Sequence, residues 1–257
     1  MSKIIIKNEL EIAKMREAGA CAAWVLEQVK KAVAPGISTY ELDQLAKKAM
    51  DSCGATSSAY GYGFEGNRFP AYICISVNEQ VVHGIGKKDK ILREGDIVSL
   101  DVALSYNGFV GDNTYTLGVG KISPAHESLL KVTEQSLYKG IEQACEGNRV
   151  GDISWAIQSY AEKNHLGVVR ELVGHGVGRD MHEEPQVPNV GMPHKGPLLK
   201  AGMIIAIEPM LTLGSPKIET LADGWTIVTR DKQYCAHFEH TVLITKDLPE
   251  ILTIVKK

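Results

Sequence analysis

Asp101 and Asp112 lie in two alternating stretches, IVSLDVALSY and FVGDNTYTLGV, joined by Asn107-Gly108. Asn-Gly supplies the positive φ angles of a two-residue type I′ turn, so the stretches are predicted to form a β-hairpin. Register follows by counting: Tyr106 faces Phe109, Ala103 faces Asp112, and Asp101 faces Thr114. Side chains alternate with a period of two, so Asp101 and Asp112 share a face as diagonal neighbours about 7–8 Å apart. That separation suits two carboxylates gripping metal ions about 3.5–4 Å from each other. For these two residues alone, the wet face of an ordinary hairpin is the commoner reading.

Two further acids make the wet face harder to sustain. Glu208 in GMIIAIEPML and Glu239 in AHFEHTVLIT stand where the sequence otherwise reads as buried strand. An ionised carboxylate there is costly unless it is paired, for instance with an arginine, or coordinates a metal. His175 in ELVGHGVGRDMHEEP is flanked by Gly174, Gly176 and Gly178, which leave room for the backbone to approach an ion or ligand. Four carboxylates and one imidazole are hard-to-borderline donors, suited to Mn, Fe, Co or Zn rather than to a thiolate-held structural zinc.

The surrounding chain must position these groups. Asn8 with Glu11, and Ser38 with Glu41, have capping-box form. They predict a long first helix ending before Pro35-Gly36 and a shorter second one stopping at Gly54. Ser123-Pro124 opens a predicted third helix to about Gly147, and Asp152 is read as the cap of a fourth that ends near Gly167. Helix, helix and β-rich sequence thus occur twice, with no Pro/Ser-rich linker between. The expectation is a single α+β domain over 1–257, with pseudo-repeat halves of roughly 8–122 and 123–257 and a cleft between them.

Composition excludes other classes. The 257 residues carry 28 basic and 31 acidic side chains, a net charge of −3, so no excess positive field awaits a nucleic acid. The start, MSKIIIKNELEIAKMREAG, has no apolar signal region, and no stretch approaches the length of a membrane span. Cys21, Cys53, Cys74, Cys145 and Cys235 are scattered without a C-x-x-C pair and are expected to be free thiols. Gly61, Gly63 and Gly66 spell G-x-G-x-x-G, but no strand precedes and no helix follows, so a turn is predicted instead of a dinucleotide loop. His126, His165 and His194 are expected to be solvated, His240 to face away from Glu239, and Lys87-Lys88 and Lys256-Lys257 to be surface charge.

Six segments together resemble the type I methionine aminopeptidases of peptidase family M24. These are ISVNEQVVHGI (75–85), VSLDVAL (98–104) with FVGDNTYTLGVG, VGHGVGRDMHEEPQVPN (173–189), AIEPM (206–210), DGWTIVTRD (223–231) and HFEHTVLIT (237–245). The resemblance implies a pita-bread fold, in which two pseudo-symmetric halves form a curved antiparallel sheet with helices outside and the active site in the central cleft. It implies a hydrolase that removes the initiator methionine from nascent proteins with a small second residue, by attack of water or hydroxide held between two divalent metals, Co, Mn, Fe or Zn. Asp101, Asp112, His175, Glu208 and Glu239 match the ligands, with Asp112 and Glu239 bridging. His83 and His182 match the histidines that contact substrate around the scissile amide, and Glu208 matches the favoured proton acceptor.

The methionine pocket is carried over to Tyr62 or Phe64, Cys74 and Trp225; the stretch 60–72 matches the family only loosely, which leaves the choice of aromatic open. Position 237 is usually Gln in relatives and is His237 here, two residues from Glu239, which predicts a contact behind the metal ligands. The implied partners are amino-terminal methionine peptides and nascent chains, with the ribosome an open second partner, and the implied state is a cytoplasmic monomer of bacterial type. The chain begins directly at the catalytic helix, without the extensions of eukaryotic or Xaa-Pro-specific relatives. A Xaa-Pro-specific peptidase of the same fold is the alternative enzyme; a non-catalytic member that binds nascent chains or ribosomes is the alternative class.

Overall fold

The computed structural model describes residues 4–255, so Met1–Lys3, Lys256 and Lys257 lie outside the described residues. The first two helices form where their caps predict: α1 spans Glu9–Lys30 behind a complete Asn8–Glu11 capping box, and α2 spans Thr39–Cys53 behind Ser38–Glu41. Gly54 ends α2 in the left-handed conformation at φ 74°, where a side chain would be strained.

The second pair departs from expectation in detail. Helix α3 spans Pro124–Ile141 and stops short of Gly147, while α4 spans Val150–Lys163. Asp152 is three residues into α4 instead of at its cap: its carboxylate accepts the N–H groups of Arg149 and His194, each at 2.8 Å. An acidic group in the first turn also complements the helix dipole, so the sequence signal was genuine and its position shifted.

The chain order is two helices and strands, then two helices and strands again, and every strand pairing is antiparallel. Strands Ile97–Tyr106 and Phe109–Gly118 form the long hairpin with the counted register, Ala103 opposite Asp112 and Asp101 opposite Thr114. Cys74–Val77 lies on its other side, placing Cys74 opposite Asp101. In the second half, Ile204–Ile207 is flanked by Val173–Gly176 and His240–Leu243, while Met210–Thr212 pairs with Cys235–His237. The expected curved sheet is thus assembled from several hydrogen-bonded pieces.

Each helix pair covers its own apolar core. Val25, Leu26, Leu42 and Met50 of α1 and α2 pack on Ile75, Leu100 and Val102, and Leu129, Leu137, Ile153 and Ile157 of α3 and α4 pack on Ile205, Ile207 and Val242. A third cluster joins the halves, with Met15 and Ala18 of α1 against Phe109, Val110, Ile204 and Leu243. Among the described residues no helix is long and apolar enough to cross a membrane.

Helix α1 approaches the hairpin closely at Gly111, where a Cβ would overlap the carbonyl of Ala18 and crowd the Ala22 methyl. Gly111→Ala is therefore expected to cost about 1–3 kcal/mol in urea unfolding, because backbone, unlike a side chain, cannot turn aside. An unchanged midpoint would show that α1 retreats freely from the strand carrying Asp112.

Candidate active site

The β-structure of both halves of the chain converges on one cleft of about 610 Å³. The hairpin contributes Asp101 and Asp112 from one face, as the counted register requires. His175 comes from strand Val173–Gly176, Glu208 follows Ile204–Ile207, and Glu239 stands in the break between Cys235–His237 and His240–Leu243. Both glutamates were expected inside strands; each instead falls where the strand gives way. At Glu239 the backbone turns aside to donate its N–H to Thr114 of the hairpin, which stitches the two halves together beside the acids.

All five groups line the cleft, and ligand atoms of Asp112, His175 and Glu239 lie within 4.8 Å of one another. His175 Nε2 is 3.9 Å from Asp112 Oδ2 and 3.5 Å from Glu208 Oε1. Its Nδ1–H donates to the Gly176 carbonyl at 2.9 Å, which leaves the Nε2 lone pair aimed at the acids. Glycine is needed around it: a Cβ at Gly174 would overlap the Ala206 carbonyl and one at Gly176 the Glu184 carbonyl. The flanking glycines thus admit neighbouring backbone.

Electrostatically this cluster is unbalanced. Burial first, and then repulsion among the acids, push Asp112, Glu208 and Glu239 well above the carboxylate range. Asp101 is also raised by burial, against the opposing influence of His237 and hydrogen bonds with Thr114 and Cys74. Glu239 Oε2 accepts the Thr114 hydroxyl at 2.9 Å, but its Oε1 is buried with no hydrogen-bond partner. Oxygen-rich acids, an imidazole with a free lone pair and an orphaned carboxylate oxygen fit one or more divalent cations.

Four imidazoles, His83, His175, His182 and His237, surround the acids, and desolvation is the chief cause holding each below its ordinary range. His83 and His175 are lowered to about 4, with repulsion from His237 and His182 respectively adding to burial. His182 is lowered by burial and by His83, and its Nδ1 lies 2.8 Å from the Tyr62 hydroxyl. His83 occupies φ 58°, a conformation uncommon for a residue with a side chain and concentrated at functional sites. It faces the edge of Trp225 across 6.4 Å.

Of the two aromatics left open, Tyr62 lines the cleft and Phe64 does not. Phe69, 3% exposed, meets Trp225 edge to face at 5.3 Å, and both line the cleft with Tyr62, Cys74 and Ala59. Phe64 is 71% exposed on the tip of a small hairpin, strands Gly63–Phe64 and Asn67–Arg68, and does not line the cleft. Sequence reasoning missed Phe69 and Ala59. The available signal was the glycine triplet: Gly61, Gly63 and Gly66 all take positive φ, so the expected turn carries Phe64 outward and the next aromatic returns.

His237 is buried and lines the cleft, with Nε2 3.5 Å from Glu208 Oε2 and no hydrogen-bond partner for that nitrogen. His240 faces away, bonded to Thr253, and His165 and His194 are exposed. His126 differs from expectation: it is half-buried and stacks on Tyr234 with 4.1 Å between ring centres.

Residues 13–246 match the family model of Metallopeptidase family M24. "Methionine aminopeptidase 1" of Bacillus subtilis is 51% identical over 252 residues, covering 98% of this chain and 100% of its own length. A crystal structure of methionine aminopeptidase from Thermotoga maritima superposes with TM-score 0.95 at 42% identity, covering 98% of this chain and all of that one. A prolidase from Pyrococcus horikoshii, at 21% identity and TM-score 0.76, shares the fold. With the family model spanning the cleft residues from both halves, the chain belongs to metallopeptidase family M24.

Proposed function

We propose that the chain is a methionyl aminopeptidase that removes amino-terminal methionine from peptides and nascent proteins whose second residue is small. The observation that carries this reading is the buried acid–imidazole cluster at the floor of a cleft walled by Phe69, Trp225, Tyr62 and Cys74, in a chain 51% identical to a methionine aminopeptidase. Aromatic edges and a thiol suit a thioether side chain, whose sulfur gains from aromatic contact. The chain acts as one catalytic domain with halves of roughly 8–122 and 123–257, as a cytoplasmic monomer that meets its substrates as they are made.

Asp101, Asp112, His175, Glu208 and Glu239 would hold two divalent ions, Co, Mn, Fe or Zn, with Asp112 and Glu239 serving both. When bound, such ions supply Lewis-acid activation of the scissile carbonyl and of the attacking water. Glu208, at the cleft floor, would be the carboxylate that accepts a proton there. His83 and His182, both disfavoured as cations by burial, present neutral imidazole to the scissile amide, and the Tyr62 hydroxyl fixes the orientation of the His182 ring. His237, 3.5 Å from Glu208 and without a hydrogen-bond partner at Nε2, is placed to orient that carboxylate once the site is filled.

Metal-stripped protein titrated with manganese, cobalt or iron is expected to release free methionine from Met-Ala-Ser, saturating with metal. Silence under every metal, with turnover of a Xaa-Pro peptide instead, would replace the substrate while leaving the fold intact. His83→Ala should keep its metal and lose about 10²–10⁴-fold in turnover, as expected for a group needed during reaction. Asp112→Asn should lose metal as well, and equal metal content in the two variants would contradict this division of labour. His237→Gln should weaken divalent-metal binding by about 10-fold in calorimetry, the lower end of what groups behind ligands contribute; unchanged affinity would remove His237 from the site.

A further inference from the structure

Away from the cleft, two thiols meet on the helical layer. Cys21 in α1 and Cys53 at the end of α2 are 32 residues apart in sequence, yet their Sγ atoms are 2.8 Å apart, closer than non-bonded sulfurs normally rest. Cys53 Sγ also reaches the Met50 carbonyl at 3.3 Å. Both cysteines are half-buried and line an open depression of about 260 Å³ with Glu17, Trp24 and Tyr106, so small molecules can reach them. The other three cysteines are set differently: Cys74 and Cys235 are buried, and the Cys145 thiol donates to the Glu142 carbonyl. An ion held by both sulfurs at the zinc–sulfur distance of about 2.3 Å would force them apart, so the spacing favours a bond between them over a metal.

We propose that Cys21 and Cys53 form a modification site at which a low-molecular-weight disulfide oxidises the two thiols to an intramolecular disulfide tying α1 to α2. Cys53 Sγ, as thiolate, attacks one sulfur of the reagent; the Cys53–reagent bond forms, the reagent's own S–S bond breaks, and one reagent thiol leaves with the proton Cys53 gave up. Cys21 Sγ then attacks the Cys53 sulfur, the protein disulfide forms, and the second reagent thiol leaves with the Cys21 proton. Two protein thiols are oxidised and one reagent disulfide is reduced to two thiols. Burial and the neighbouring Cys53 push the Cys21 thiol up and keep it from attacking first; once Cys53 carries the reagent that neighbour's influence is gone, and the 2.8 Å separation makes the second attack intramolecular. In a reducing compartment the pair returns to the dithiol by the reverse exchange, as regulatory disulfides do.

Glutathione disulfide is the probe, applied to the folded chain and followed by alkylation and peptide mapping by mass. The wild-type chain, with five cysteines, is expected to lose two alkylatable thiols and to yield the peptides of Cys21 and Cys53 joined by a disulfide. Cys21→Ser should accumulate a glutathione adduct at Cys53, and Cys53→Ser should leave Cys21 alkylatable. A wild-type chain in which both thiols stay alkylatable, or in which they carry separate adducts, overturns the proposal, and that arm decides the matter even where a serine variant does not fold.

Discussion

Four carboxylates converge within one cleft, and the repulsion among them is the constraint that organises the rest of the structure. Burial already disfavours each charge, and each neighbour disfavours it further. Such a cluster persists only where the backbone carrying it is over-determined. Asp101 and Asp112 therefore ride on a ten-residue strand pair whose register is fixed at every position, with α1 pressed against it at Gly111. Glu208 and Glu239 sit at strand breaks, where the direction of a side chain is set by what its backbone bonds to. Glu239 bonds to Thr114 through both N–H and carboxylate, and the Glu208 carbonyl accepts the amide of Asn189.

The imidazoles answer the same problem from the other side. A histidine that charged readily would neutralise the acids and take the place of a cation. Burial instead lowers the proton affinity of His83, His175 and His237, and His182, more exposed, is shifted the same way by desolvation and His83. Positive charge near the cleft is spent elsewhere: Lys7, almost fully buried, pairs with Glu183 at 2.5 Å and does not reach the acids. Glu183 is thereby compensated, whereas the four carboxylates of the cluster have no lysine or arginine partner among the ion pairs of the described residues.

What was legible in the sequence was what local rules determine. The hairpin register followed from Asn107-Gly108 and a period of two, and the first two helices from caps three residues apart. Where a residue's place depends on contacts distant in sequence, the same rules fell short. Glu208 and Glu239 read as strand residues because their neighbours are apolar, and only pairing across the molecule shows the breaks. Tyr62 and Phe64 were indistinguishable as pocket aromatics, and Phe69 was passed over, because the glycine turn of 61–66 has no direction until the fold supplies one. The nearness of Cys21 to Cys53 is a product of helix packing, invisible to spacing rules that seek C-x-x-C.

The acidic cluster also ties the site to the stability of the fold. A carboxylate whose folded pKa lies above its unfolded value binds more protons in the folded state, so without compensation its contribution to stability falls as pH rises above the unfolded range near 4. For Asp112, Glu208 and Glu239 the raised values thus mean a cleft that opposes folding near neutral pH. A cation binding only the folded arrangement removes that opposition and adds its own binding free energy through mass action. The apolar clusters under each helix pair, and the third that joins the halves, must hold the cleft together until it does. Two cores on opposite sides of one acidic cleft are therefore a mechanical requirement of the chemistry, since either half alone would present its carboxylates to water and disperse them.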